Sequence, residues 1–572
     1  MDGTATATFR TLASQMNGNA TFRTCAQTGL RVHDAAERLI KVHAVAGVLA
    51  ILFGGMAAVL VVLTRWPAVH LLGPALYYRA LTFHGINMLI FWIIFFEVAI
   101  LYFAGPILLG SRVAWPRVGW GGFGLMVAGS LLIDVAILRG GADVMFTSYV
   151  PLRAVSYFYL GWILFAVGAL IGVLNFFATL VVARAERTYE GSIPLVTFGA
   201  ATAAIIAVLT LAHGAIIYIP TWLWSLGIVQ NLDAGMYRLV WWGLGHTSQQ
   251  INVTAMVAVW YLLATLTVGA IPLNEKVCRT AFLLYILFIN LASAHHLLVD
   301  PTLSPAWKVF NTSYGMYLAV LASMVHGMTV PAAVEVAQRK NGLSKGLFEW
   351  LAKAPWGSPG FAALALSLSL FGFMGGITGV TFGAEQVNII SHNTLRIPGH
   401  FHSTVVAGTT LAFMGLTYYV VPLIFRRRVV WPRLATAQIY LFGIGIALFA
   451  AGMTTAGSYA VPRRHWDVQF ASSIFQPPIE PAAFFFLGLM GIGGLLAAAG
   501  GALYVLLTVV SVFFGSRVPD TPGAVPLARL APEGGKHASI SGTMVLVFVF
   551  LSAFIIYYFL NWKWLAAIWY VR

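Results

Sequence analysis

Residues 241–263 read WWGLGHTSQQINVTAMVAVWYLL. With its flanks the stretch is apolar and long enough to cross about 30 Å of hydrocarbon as a helix. Yet it carries His246 a third of the way in and Gln250 one turn later. Polar and ionisable side chains inside a membrane are costly and mark function by default. The rest of the chain shows what the histidine is for and what stands out about the glutamine.

The setting is a membrane. Of the 572 residues 59% are hydrophobic and only 9% charged, with a mean hydropathy of +0.85, against about a quarter charged in a soluble chain. The formal charge of +15 points away from nucleic acid, because basic residues in such a chain collect in cytoplasmic loops. Cys25 and Cys278 are far apart and outside any CxxC pattern, which excludes a disulfide framework, an iron–sulfur site and a thiolate copper site. The polar first 40 residues have no signal-peptide core.

Apolar stretches of spanning length recur thirteen times, near 42–64, 80–104, 119–138, 155–183, 196–224, 236–270, 278–298, 309–337, 362–385, 398–424, 436–458, 482–513 and 541–561. The expected fold is an all-α integral membrane bundle of about 13 transmembrane helices. Residues 1–41 read as a cytoplasmic N-terminal segment and 42–561 as one transmembrane domain with a cytoplasmic linker at 515–540. Residues 562–572 read as an outer C-terminal tail. With the amino terminus inside, inner segments hold 22 of the 33 Lys and Arg and outer segments 11, which supports that orientation.

Six of the fourteen histidines share a depth. His84 opens span 2, His246 lies about ten residues into span 6, His295 and His296 close span 7, and His400 and His402 open span 10. Counted at about 1.5 Å per residue, all six fall in the outer part of the bilayer. Independent structural histidines have no reason to do so. His400 and His402 stand about 200° apart around a helix, so one helix can serve two centres. His295 and His296 can converge on one metal with His246 as a third ligand. Imidazoles without thiolates or paired carboxylates suit copper or heme iron. A two-histidine heme, and a one-histidine heme facing a three-histidine copper, use all six.

These residues resemble the catalytic subunit of heme-copper oxidases, the B-type (ba3-like) branch in particular. The motifs are HHLLVD at 295–300, SHNTLRIPGHFHSTV at 391–405 and RRHW at 463–466. The resemblance implies that His84 and His402 are axial ligands of a low-spin heme and His400 the ligand of a high-spin heme, each of type a or b. His246, His295 and His296 would bind the copper called CuB. Arg463 and Arg464 would hold heme propionates, with His392 near them; guanidiniums suit carboxylates.

Oxygen-reducing members of the family usually carry a tyrosine four residues after the span-6 histidine, or six residues before the histidine pair. Here those positions are Gln250 and Ile289. An amide cannot supply the electron and proton that the tyrosine gives when the O–O bond breaks. Trp242 and Tyr285 are candidate substitutes. Reduction of two NO to N2O needs only two electrons, so the missing tyrosine leaves an NO reductase as the alternative to an oxidase. NO reductases of the family replace copper by iron and add glutamates, which GHTSQQIN lacks; the expectation is oxygen. A multi-spanning transporter would show inverted repeats and broken helices, and a di-heme cytochrome b would not use His295 and His296.

Protons must reach the outer half of the bundle. The family's route through a span-6 glutamate has no counterpart, since span 6 holds no carboxylate. Tyr261, Ser323 and His326 fit the B-type proton path, with His326 about where a threonine is expected. Glu97 and Asp134 are intramembrane acids without an assigned role. No two-copper motif is present, so electrons are expected from cytochrome c or a copper protein through a subunit II with a CuA-type cupredoxin domain, or from quinol. Further small membrane subunits and a bacterial or archaeal plasma membrane complete the expectation.

Overall fold

The computed structural model describes residues 20–289, 292–471, 473, 474, 476, 478–531 and 539–568. A short antiparallel hairpin, β1 (Phe22–Thr24) and β2 (Arg31–His33), leads into α1 (Asp34–Arg65). Then come α2 (Pro74–Ile107), α3 (Pro116–Leu138), α4 (Ser156–Ala185), α5 (Leu195–Ser225) and α6 (Ala234–Val268). The shorter α7 (Glu275–Leu284) follows. After it come α8 (Pro305–Lys340), α9 (Pro359–Gly383), α10 (Arg396–Phe425), α11 (Pro432–Ser458), α12 (Pro481–Phe514) and α13 (Ser541–Ile568).

Local chemistry sets these ends. Proline stands first in α2, α3, α8, α9, α11 and α12, where its missing N–H costs nothing. Asp233 caps α6 by accepting from Met236 N at 2.7 Å. Gly269 ends α6 at φ 70°, where a side chain would run into Arg529 O. Within the bundle, backbones meet where glycines face each other. A Cβ on Gly129 of α3 would come 2.5 Å from Gly161 O of α4, the small-residue contact that membrane helices use in place of a hydrophobic drive.

Among the described residues twelve helices are long and apolar enough to cross a membrane. The seventh predicted span differs in kind. It is α7, then a wide π turn at Tyr285–Ile289, then a tight 3-10 turn at Ala292–Leu297 that carries the paired histidines. His295 and His296 are consecutive in this turn, with their ring centroids 4.0 Å apart. Other π turns lie at Asn87–Phe91 after His84, at Phe371–Gly376 in α9, and at His402–Thr410. Such turns break the regular ladder and gather at functional positions.

The last helix runs to Ile568, past the predicted end at 561. Residues 1–19 of the N-terminal segment, 532–538 of the linker and 569–572 of the tail lie outside the described residues, as does the side chain at 289.

Candidate functional site

One cavity of about 350 Å³ runs between α1, α2, α6, α10, α11, α12 and the loop after α11. Its walls include His84, His402, His400, His296, Arg463 and Arg464.

His84 of α2 and His402 of α10 face each other across it. Their rings are nearly parallel, at 12°, with centroids 6.4 Å apart. Two imidazoles on opposite sides of one metal, with bonds of about 2 Å and nitrogens about 1 Å from the ring centre, put their centroids about 6 Å apart. Each ring is oriented from behind. His84 donates from Nδ1 to Gly54 O at 3.0 Å, and His402 from Nδ1 to Pro398 O at 2.7 Å. A carbonyl only accepts, so the proton sits on Nδ1 and the Nε2 lone pair is left for a metal.

His400 follows the same rule on the other face of α10. Its Nδ1 donates to Gly375 O at 3.0 Å, with Thr378 Oγ1 also 3.0 Å away. Gly375 lies in the π turn of α9, where the regular bonding of carbonyls is relaxed. A Cβ on Gly379 would meet the His400 ring at 2.8 Å, so only glycine leaves that ring its place.

His246, His295 and His296 form one cluster, with a ligand nitrogen from each within 4.8 Å of the others. His246 Nδ1 and His296 Nε2 are 3.1 Å apart. The Gln250 amide lies 3.1 Å from His246 Nε2 while His246 Nδ1 faces the cluster; with the amide oxygen turned to accept from Nε2–H, Nδ1 keeps its lone pair for a metal. Trp242 lies flat on His296, with centroids 3.7 Å apart and a 7° angle between the rings. Tyr285 points elsewhere: its hydroxyl is 2.9 Å from Ser323 Oγ and its ring stacks on His326.

Above the cavity the two long motifs lock together. Thr394 and Pro462 pair in an antiparallel bridge, Leu395 N donates to Val461 O at 2.9 Å, and Arg463 N donates to Asn393 O at 2.8 Å. Arg65 of α1 pins the same loop through Pro462 O at 2.5 Å and His465 O. Burial, and then the charge of Arg464, pushes the Arg463 guanidinium down to about 9. Burial also lowers Arg464, against the pull of Tyr149, over whose ring it sits at 5.6 Å. Arg463 Nε is buried without a protein partner. Two buried cations at one cavity wall call for anionic groups on a ligand. Burial and then the two arginines push His392 down to about 4, with Asp300 opposing. For Asp300 burial acts upward, but the bonds from Thr302 and the charge of Arg238 prevail and hold it below its usual range.

About four turns further along α6 from His246, Tyr261 OH is 3.0 Å from His326 Nδ1, 2.7 Å from Thr329 Oγ1, and donates to Cys278 Sγ at 3.2 Å. The three predicted residues Tyr261, Ser323 and His326 therefore fall in one patch, joined by Tyr285. Thr329, one turn after His326, is the residue that the sequence reading passed over. Spacing could not separate the two, since residues three apart share a helix face.

The family model of cytochrome c and quinol oxidase polypeptide I matches residues 38–496. The chain belongs to this family. Cytochrome c oxidase subunit 1 of Thermus thermophilus is 29% identical over 441 residues, 76% of each chain. Cytochrome c oxidase subunit 1 of Synechocystis sp. is 24% identical over 479 residues, 80% of each. A solved heme-copper terminal oxidase dimer superposes with a TM-score of 0.80 at 25% identity, over 93% of this chain and 92% of that one. This subunit I is thus a multi-span membrane oxidoreductase of a family that carries hemes and copper and works with partner subunits. Its donor set fits those groups: four imidazoles and two guanidiniums line one cavity, two more imidazoles stand beside His296, and no thiolate is among the described lining residues.

Proposed function

We propose that this subunit I is the catalytic subunit of a respiratory terminal oxidase of the B-type branch, reducing O2 to water. One observation carries the proposal. Six histidines at one depth divide into a facing pair, a single ring backed by Gly375 O, and a cluster of three. In this reading His84 and His402 hold a low-spin heme, His400 a high-spin heme, and His246, His295 and His296 the copper CuB. When bound, the two hemes, of type a or b, and the copper supply electrons and the place where the O–O bond breaks.

The chain's own residues do the rest. Arg463 and Arg464 neutralise the heme carboxylates, and His392 lies beside them. Tyr261, Thr329, His326, Tyr285 and Ser323 hold and pass protons from the inner side. Gln250 fixes the ring of His246, and Trp242, stacked on His296, is the aromatic residue in contact with the cluster. Electrons arrive from cytochrome c or a copper protein through a subunit II with a CuA-type domain, or from quinol. The amino terminus lies in the cytoplasm, and the membrane is the plasma membrane of a bacterium or archaeon.

Gln250 supports a second reading, reduction of NO to N2O, because no tyrosine hydroxyl stands there. The relatives named above are oxidases, and we assign oxygen. The test is turnover of the purified, reduced complex with O2 and with NO. Rapid oxygen consumption ending in water supports the oxidase. Slow or peroxide-releasing oxygen chemistry beside rapid N2O formation overturns it.

A further inference from the structure

The proton patch around Tyr261 does not include Glu97. Glu97 sits on α2 and is buried. It borders a second, small cavity of about 100 Å³ between α2, α4, α5 and α6. Among the described residues lining that cavity Glu97 is the only charged one, and no cation pairs with it. The walls from α4 and α5 are apolar except for Thr210, Tyr218 and the Trp162 indole. His43 of α1 packs instead on Phe95, Tyr102 and Phe123.

The polar contact of Glu97 comes from the helix that carries His246. With its amide nitrogen turned inward, Asn252 donates to Glu97 Oε1 at 2.9 Å and to Ser248 O at 3.0 Å. Ser248, two residues from His246, lines the same cavity. Asn252 is six residues from His246, about 9 Å along the helix. An ionised carboxylate in such a place is costly unless a positive charge offsets it. The positive charge within reach would be that of the copper held by the three histidines, and it would change with each electron gained or lost. At low dielectric that change is felt across about 10 Å.

We propose that Glu97 is a redox-linked proton acceptor beside the three-histidine cluster, held by Asn252. This rests on the oxidase reading. When the cluster is reduced, a solvent proton bonds to a Glu97 carboxylate oxygen. When the cluster is oxidised, that O–H bond breaks. The proton passes to the oxygen being reduced. The electrons are those that the oxidase reaction already supplies.

Reduced-minus-oxidised infrared spectroscopy of the purified holoenzyme tests this. The intact enzyme should show the carbonyl stretch of a protonated carboxylic acid in the difference spectrum. Glu97→Gln should lose that band and lower turnover at least tenfold, with the heme optical spectrum and metal content retained. Persistence of the band in this variant overturns the proposal. If Glu97→Gln fails to assemble, Asn252→Ala decides: the band must shift, and an unshifted band overturns the assignment. The two readings can fail separately. An enzyme that consumes NO rather than O2 removes the oxidase reading while the band still reports on Glu97. Normal oxygen turnover without the band removes only the role given to Glu97.

Discussion

His392 shows how a site built for cofactors constrains a residue that ligates none. It is held at about 4, first by burial and then by Arg463 and Arg464, against about 6.5 in an unfolded chain. Between these values the unfolded state binds the extra proton, so stability rises with pH and is lost as pH falls from about 6.5 toward 4. Replacing His392 with Gln should flatten that acid limb, by at most about 3 kcal/mol. Thermal melts of the two proteins between pH 4 and 6.5 give the measurement. Parallel curves would mean that His392 titrates as it does in water.

At the scale of elements, α13 stands apart. It leaves nearly all of its length facing outward and is fixed near its two ends by buried charge. Glu335 of α8, itself paired with Arg339 at 2.8 Å, accepts from Gly542 N at 3.0 Å and Thr543 N at 2.6 Å. A carboxylate at a helix N-terminus is favoured by both the unpaired N–H groups and the dipole. Toward the other end Arg396 donates to Asn561 Oδ1 and lies over the Trp564 ring at 4.8 Å. Glu335→Gln should weaken the first anchor by about 1–3 kcal/mol. Amide exchange over residues 541–548 should then speed up severalfold while the heme spectrum stays the same; unchanged exchange would mean that packing alone holds the helix. Elements of this kind were legible in the sequence where apolar length or a proline start marked them. The seventh span was not, because the apolar run through ILFINLASAHHLLV gives no sign that the backbone changes pitch twice. The six histidines were legible from shared depth. Gly54 O, Gly375 O and Pro398 O, which aim those rings, were not, since any residue supplies a carbonyl. Thr329 was hidden by its nearness to His326.

For the whole molecule, the two-to-one excess of Lys and Arg in inner segments implies that the loop at 66–73 faces out and the linker at 515–540 faces in. Cys25 and Cys278 are both buried, so added thiols can be read against little background. Leu71→Cys should react with an impermeant maleimide in intact cells, and Thr521→Cys only after the membrane is opened. The reverse pattern would invert the topology and place the site on the cytoplasmic side. The walls of the large cavity also fix an order of events during synthesis. Gly54 behind His84, His402 itself, the arginine pair at 463–464 and Met490 and Val505 of α12 all border it or aim its rings. A ribosome must therefore deliver most of the chain into the bilayer before the pocket has all its sides. Closure of the pocket belongs to the last stage of biogenesis, and a chain truncated before α12 would keep its histidines and arginine pair but leave the pocket open along one wall.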